Sequence, residues 1–320
     1  MTETTIAVIG AGQLGSRHLQ GLKKAQIQMN IHVLDASEES LSVCQQRYND
    51  IPDNELVKKI QFTTQWESLP DVIDIAIVAT GSTPRCSIIH ELVEKHHCRR
   101  LILEKFLFPK MSQYDEIASL FQEHDVKAWV NCSRRYFTVY QDLRDLLIQD
   151  GPIDFLMKGK NWGLCCNSIH FIDLFAYLTG EKNIHFDCSG IDPHINESKR
   201  PGYIEMTGTI KGKSDNGSTL QLGSYSDFEG GTTFSIESKH HKVEIFEGQN
   251  KIVVDGSEQA MNLSYQSDLT GKYIEDLVNK HQLVLATFTE SANLHQQILP
   301  YFLDIYNKIT GLQSDLCPIT

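Results

Sequence analysis

The feature that most constrains the fold is the segment "TIAVIGAGQLGSRHLQGL" at residues 5–22. A short β-branched run stops at a glycine, and an amphipathic helical pattern begins within a few residues. Between them lies G-x-G-x-x-G, Gly10 to Gly15. In such a strand–turn–helix unit Gly10 permits the tight turn and Gly12 lets backbone N–H groups approach a pyrophosphate. Gly15 lets helix and strand pack closely, and Gln13 and Leu14 complete the loop. The helix N-terminus then favours the phosphates. About twenty residues after Gly15, the next strand-like run "IHVLD" ends on Asp35. That carboxylate is placed to accept hydrogen bonds from a ribose diol and to repel a 2′-phosphate. The following "ASEES" offers no Lys or Arg, so NAD is expected rather than NADP.

The alternation continues through "VIDIAIVAT", "IIHELVEKHH", "RLILEK", "QYDEIASLFQEHD" and "KAWVNC". Nearly continuous apolar strands separated by amphipathic helices predict a doubly wound parallel sheet, an α/β Rossmann domain over residues 1–132. Beyond a helix at "YQDLRDLLIQD", closed by Gly151 and Pro152, the pattern changes. From Ile204 to Val254 it alternates every two residues, with turn signals, which predicts an open, mostly antiparallel sheet in an α+β domain over residues 133–320. Two helices close the chain, the second containing Pro300.

Composition narrows the function classes. Lys plus Arg number 29 against 41 Asp plus Glu, a net charge of −12, which disfavours nucleic acid as a partner. No apolar run approaches the roughly 20 residues that span a bilayer, so no membrane role is expected. The N-terminus reads as a strand rather than a targeting signal, and eight cysteines without CxxC spacing suit a reducing, cytoplasmic setting.

Two further stretches carry candidate chemistry. "VATGSTP" places Ala79 and Thr80 at the carboxyl edge of the predicted sheet, where cofactors sit in such folds. "LILEKF" places Glu104 and Lys105 at the same edge, where a lysine can exchange the proton of a hydroxyl undergoing oxidation. In "CCNSIHFIDL", a helical reading puts Cys166, His170, Asp173 and Tyr177 on one stripe. Vicinal cysteines point apart on a helix and no second ligand pair is in evidence, so no metal is expected there.

The ordered set "GAGQLGSRHL", "VATGSTP", "LILEKF", "VNCSRRY" and "IHFIDL" resembles the Gfo/Idh/MocA oxidoreductases, the glucose-fructose oxidoreductase and inositol dehydrogenase family. The resemblance covers the whole chain in layout. It implies an NAD(P)-dependent dehydrogenase acting on CH–OH groups of a sugar, polyol, inositol or nucleotide sugar at a domain interface. It implies a homo-oligomer, dimer or tetramer, formed through the open sheet. Glu104 and Lys105 correspond to the family's Glu-Lys-Pro motif, with the lysine touching cofactor and substrate. His170 corresponds to the acid/base histidine. Arg134, Arg135, Tyr136, Trp162, Cys166 and Asn167 are candidates for the substrate pocket, and two arginines would suit an anionic substrate group. Two departures stand out. Phe106 replaces the motif's proline, the residue that makes a cis bond accessible, and Cys166 stands where many members carry an aspartate four residues before the histidine. They motivate a rival reading, an NAD(H)-linked sensor with weakened chemistry.

Overall fold

The computed structural model describes residues 3–320. The chain forms two compact units. The first comprises the residues up to Leu107, Asp115–Asn131 and Ser264–Phe288. The second comprises Phe108–Tyr114, Cys132–Leu263 and Thr289–Thr320.

In the first unit, β1 (Thr4–Ile9), β2 (Met29–Leu34), β3 (Val57–Thr63), β4 (Ile75–Val78), β5 (Arg100–Leu103) and β6 (Lys127–Val130) form a parallel sheet. Its order is β6-β5-β4-β1-β2-β3, with the two-residue strand Ala286–Thr287 antiparallel on β6. The connecting helices are α1 (Gln13–Lys23), α2 (Glu38–Asn49), α3 (Ser82–His90) and α4 (Ser112–Glu123). Ile6, Ala7, Val8, Ile75 and Ile77 are fully buried, as strands covered on both faces must be. Strand order reverses at β1, which has β2 on one side and β4 on the other, so a ligand crevice opens at the carboxyl ends there. The sequence pattern does not announce β3, "VKKIQFT". It is an edge strand whose exposed Lys58 and Lys59 break the apolar run and discourage further pairing.

The helix Gln266–Asn279 returns to this unit from far along the chain. It packs on α1 where two glycines face each other: a Cβ on Gly21 would meet Thr270 Cβ at 2.9 Å, and one on Gly271 would meet the Gly21 carbonyl oxygen at 2.6 Å. The first unit thus draws on three stretches of the chain, and the glycine-to-glycine contact leaves no local signature in either helix.

The second unit is α+β. It contains α5 (Thr138–Leu147), β7 (Asp154–Lys160), α6 (Leu164–Thr179), β8 (Ile184–Ile191) and a small ribbon of β9 (Asn196–Glu197) and β10 (Ile204–Glu205). Then follow β11 (Gly208–Ser214), β12 (Thr219–Tyr225), β13 (Thr233–Glu237), β14 (Lys242–Phe246), β15 (Lys251–Val254) and β16 (Ser257–Ala260). The large sheet has the order β16-β15-β14-β13-β7-β12-β11-β8. It is wider than the expected Ile204–Val254 meander, because β7 inserts between β12 and β13, parallel to the former. Along β7, Phe155 and Met157 point into the core while Asp154 and Lys160 point out. Lys211, Gln221, Glu237, Lys242 and Glu244 also face outward, so that face is polar rather than an apolar liability. The C-terminal helix Phe288–Thr310 runs through Pro300. All eight cysteines are buried and free of disulfides.

Candidate active site

In the first unit the carboxyl edge is assembled by backbone register. Gly10 N–H donates to Leu34 O (2.8 Å), Ala79 N–H to Ile9 O (2.8 Å), Glu104 N–H to Val78 O (3.1 Å) and Asn131 N–H to Leu103 O (2.8 Å). Gly10, Ala79, Glu104 and Asn131 thus stand in a row, one step beyond the ends of four adjacent strands. The fingerprint glycines carry distinct loads. Gly10 has φ +98°, and a Cβ on Gly15 would lie 1.8 Å from the Gly10 carbonyl oxygen. At Gly12 a Cβ would meet nothing within 4 Å, so the loop leaves open space above it.

Helix ends here are treated unequally. Ser37 caps α2, its side chain accepting from Ser40 N–H, and Glu38 and Glu39 occupy the first turn. By contrast α1 and α3 start at Gly12 and Gly81 with no side-chain cap and no acid in the first turn. The positive ends of these two helices, left without a side-chain cap, suit an anionic ligand. Asp35 reaches this loop: its carboxylate accepts from Ala11 N–H (2.7 Å) and Ser37 N–H (2.8 Å). Thr80 Oγ1 is buried without a protein partner, a polar group aimed where a ligand would satisfy it. These features fit a dinucleotide: Gly10–Gly15 and the α1 N-terminus for the pyrophosphate, Asp35 for a ribose, and Ala79 and Thr80 beyond.

Behind the row is a buried network that sequence reasoning missed. Glu104 accepts from His18 Nε2 (2.8 Å) and Asn131 Nδ2 (2.6 Å). His18 Nδ1 lies 2.9 Å from Thr270 Oγ1 and 3.4 Å from Gln266 Nε2. Burial would push the Glu104 carboxyl up, but His18, Asn131 and the charge of Lys105 together hold it below the ordinary range. The motif "GSRHL" contains His18, yet only the fold reveals its partner 86 residues away. Arg85 is fully buried and donates to the carbonyls of Thr80, Phe106 and Leu107 (2.8 Å for the last), tying the Thr80 loop to the segment after Lys105. The Lys105–Phe106 peptide bond is cis although no proline follows the lysine.

In the second unit, α6 and the large sheet enclose a cavity of about 650 Å³ whose lining includes Arg134, Trp162, Asn167, His170, Phe171 and Glu247. The start of α6 is held by Glu205, which accepts from Cys165 and Cys166 N–H (both 3.0 Å), while Gly163 takes the left-handed turn at φ +86°. Trp162 is fixed by its indole N–H to Gly223 O (2.7 Å) and packs edge-on against Phe171 at 5.3 Å. Asn167 donates from Nδ2 to Trp162 O (2.8 Å).

The two arginines are committed within this unit. Arg134 forms a fork with Glu247 (2.7 and 2.6 Å) over the Phe171 ring, and Tyr140 O–H donates to the same carboxylate (2.5 Å). Burial alone would raise the Glu247 carboxyl, but the Arg134 guanidinium and the Tyr140 hydroxyl hold it below its ordinary range. Arg135 is paired with the fully buried Asp173 (2.9 and 2.8 Å). Their charges are thus matched inside the protein, Arg134 by Glu247 and Arg135 by Asp173, while Arg134 still lines the cavity. The stripe of α6 is also divided. His170 faces the cavity, Asp173 is buried on Arg135, and Tyr177 lies under Arg135 and Arg144. Cys166 is buried with Sγ 3.8 Å from Ile204 O, and neither it nor Tyr136 lines the cavity.

Comparison with known proteins now places the first part of the chain. Residues 4–132 match the model of the Gfo/Idh/MocA family, an oxidoreductase family with an NAD-binding Rossmann fold. These residues are a Gfo/Idh/MocA domain. Among solved structures, the chain is similar to UDP-N-acetylglucosamine 3-dehydrogenase from Acidithiobacillus ferrooxidans, with a TM-score of 0.70 at 16% identity over 94% of this chain and 97% of that one. It is similar to biliverdin reductase from Synechocystis in complex with biliverdin and NADP+ (TM-score 0.69, 11% identity, 94% and 99% covered). An oxidoreductase from Agrobacterium radiobacter in complex with NAD+, L-tartaric acid and magnesium gives 0.67 at 14% identity, with 93% and 94% covered. At these identities the likeness concerns the fold, and it extends over both units. No curated protein sequence matches the chain. In Gfo/Idh/MocA terms, the glycine row, Asp35 and Glu104–Lys105 all belong to the matched segment, whereas His170 and the cavity lie beyond it. No helix among the described residues is long and apolar enough to cross a membrane.

Proposed function

We propose that the chain is an NAD-dependent dehydrogenase or reductase acting on a secondary alcohol or ketone of a sugar, inositol or nucleotide sugar. The observation that carries this reading is the carboxyl-edge row: uncapped α1 and α3, the Asp35 carboxylate on the glycine loop, and Lys105 directly after Glu104. When bound, the nicotinamide supplies the hydride acceptor or donor. The chain's own work is proton transfer: Lys105 and His170 take up the hydroxyl proton on oxidation and return it on reduction. Glu104, anionic and held by His18 and Asn131, positions the adjacent lysine. Aromatic Trp162 and Phe171 with Asn167 and His170 suit a hydroxyl-rich ring with an apolar face. The Arg134 charge is matched by Glu247, which favours a neutral, hydroxyl-bearing part of the substrate in this cavity. The cofactor is NAD, with Asp35 disfavouring a 2′-phosphate, and the working form is a cytoplasmic homo-oligomer, dimer or tetramer, joined through the polar sheet face.

The test is direct. The purified protein is titrated with NAD and NADP, and NAD reduction is followed optically with a panel of sugars, inositols and nucleotide sugars. Turnover abolished by Lys105→Ala and by His170→Ala, with NAD binding kept in the latter, supports the enzyme. Tight NAD binding without turnover on any panel member, and indifference to His170→Ala, favours the sensor reading that Cys166 and Phe106 motivate.

A further inference from the structure

Away from the glycine row, α3 and α4 bring together three side chains that the proposed reaction does not use. Cys86 and His90 are one turn apart on α3, and Glu116 reaches them from α4. The Cys86 sulfur, a His90 ring nitrogen and a Glu116 carboxylate oxygen all lie within 4.8 Å of one another. The imidazole is held at both ends: Nε2 is 2.9 Å from Glu116 Oε1, and Nδ1 is 3.2 Å from Glu94 Oε1. We propose that Cys86, His90 and Glu116 are the protein ligands of a zinc-class divalent ion, with Glu94 fixing the histidine from behind.

Four observations converge on this assignment. Thiolate, imidazole and carboxylate together select zinc and its neighbours over magnesium or calcium. A carboxylate on the far ring nitrogen is the usual outer partner of a metal-bound histidine, because it sets the tautomer and leaves the other nitrogen free to ligate. Tetrahedral zinc with bonds of roughly 2.0–2.3 Å needs donor atoms about 3.3–3.7 Å apart. The Nε2–Oε1 pair at 2.9 Å must therefore open slightly and the widest separation, at most 4.8 Å, close by about 1 Å, within reach of a His90 side chain 31% exposed and a Glu116 side chain 49% exposed. Finally, α3 passes directly into a π-helical turn at Glu91–Lys95, an irregularity that recurs at functional sites. Thiolate plus carboxylate would neutralise the ion's charge, and the solvent side leaves a fourth position for water. Without an ion, burial and the Glu116 carboxylate push the Cys86 thiol up to about 12, so metal binding must release its proton.

The ion would clamp α3 to α4. Since Arg85, next to Cys86, ties the carbonyls of Thr80, Phe106 and Leu107 together, that clamp stiffens the mount of the cofactor edge.

The experiment uses the metal-stripped full chain with Co²⁺ alone and then Zn²⁺ alone. Co²⁺ should give a sulfur-to-metal charge-transfer absorption that saturates at one equivalent, is displaced by Zn²⁺ and disappears in Cys86→Ser. Glu94→Gln should weaken Zn²⁺ binding by about 10–100-fold while keeping the absorption, and Zn²⁺ should raise the thermal midpoint of the wild type but not of Cys86→Ser. Absence of the charge-transfer band, or its persistence in Cys86→Ser, overturns the proposal. Should Cys86→Ser not fold, Glu116→Gln at an exposed position decides: a Zn²⁺ affinity lowered about tenfold or more supports the site, and an unchanged one overturns it.

Discussion

The carboxyl edge of the first unit and the cavity of the second are built from different materials. The edge is made by the backbone: strand register sets four residues in a row, glycines clear the approach, and helix ends are left uncapped. The cavity is made by side chains that satisfy one another across long sequence separations, as in Arg134–Glu247, 113 residues apart. A backbone-made site tolerates almost any sequence around its glycines but none at them. A side-chain site fails gradually, one partner at a time.

The largest effect should follow from breaking the edge at its tightest point. Gly15→Ala places a methyl group 1.8 Å from the Gly10 carbonyl oxygen, so α1 must shift; we expect a loss of about 3 kcal/mol in urea denaturation together with loss of NAD binding by calorimetry. Next, Arg134→Met strands the Glu247 carboxylate in the cavity wall. Breaking a buried pair costs roughly 3–5 kcal/mol, and because Glu247 is 30% exposed the expectation is reduced to about 2 kcal/mol. Adding Glu247→Gln to Arg134→Met should restore part of that loss, and strict additivity in this double-mutant cycle would show that the two side chains do not couple.

A smaller effect is read from pH. The Glu247 carboxyl is held below its ordinary range in the folded protein, so its contribution is complete above the unfolded glutamate value and is lost as pH falls through the folded one. Stability plotted against pH should therefore fall less steeply on the acid side in Glu247→Gln, and superimposable acid limbs would refute the pairing. The smallest effect on folding separates the two functions of the glycine loop. Gly12→Ala meets nothing within 4 Å and should change stability by less than about 0.5 kcal/mol. Its methyl group nevertheless occupies the open approach, and NAD affinity should drop by about tenfold or more, roughly 1.4 kcal/mol.

This difference in construction also explains what could be read in advance. The Rossmann alternation, the three glycines, Asp35 and the Glu104–Lys105 pair are legible because backbone constraints are written locally, at fixed spacing. Edge strand β3 is not, since its lysines interrupt the apolar pattern. Nor is β7, whose alternation stands apart from the Ile204–Val254 run although it pairs in the middle of that sheet. His18 and Arg85 read as ordinary residues of helices until the fold brings them to Glu104 and to three carbonyl oxygens. The arginines "RR" look available in sequence, but Glu247, Asp173 and Tyr140 are distant in the chain and near in space.

The return of Gln266–Asn279 to α1 has a consequence for biosynthesis. As the chain leaves the ribosome, the parallel sheet and α1 emerge well before the helix that meets Gly21 and the threonine that faces His18. The face of α1 around Gly21 and His18 must wait for that partner until some 150 further residues have been made, about ten to thirty seconds at usual elongation rates. Completion of the first unit thus waits on the synthesis of Ser264–Phe288, and a truncation anywhere before Phe288 removes a piece of it.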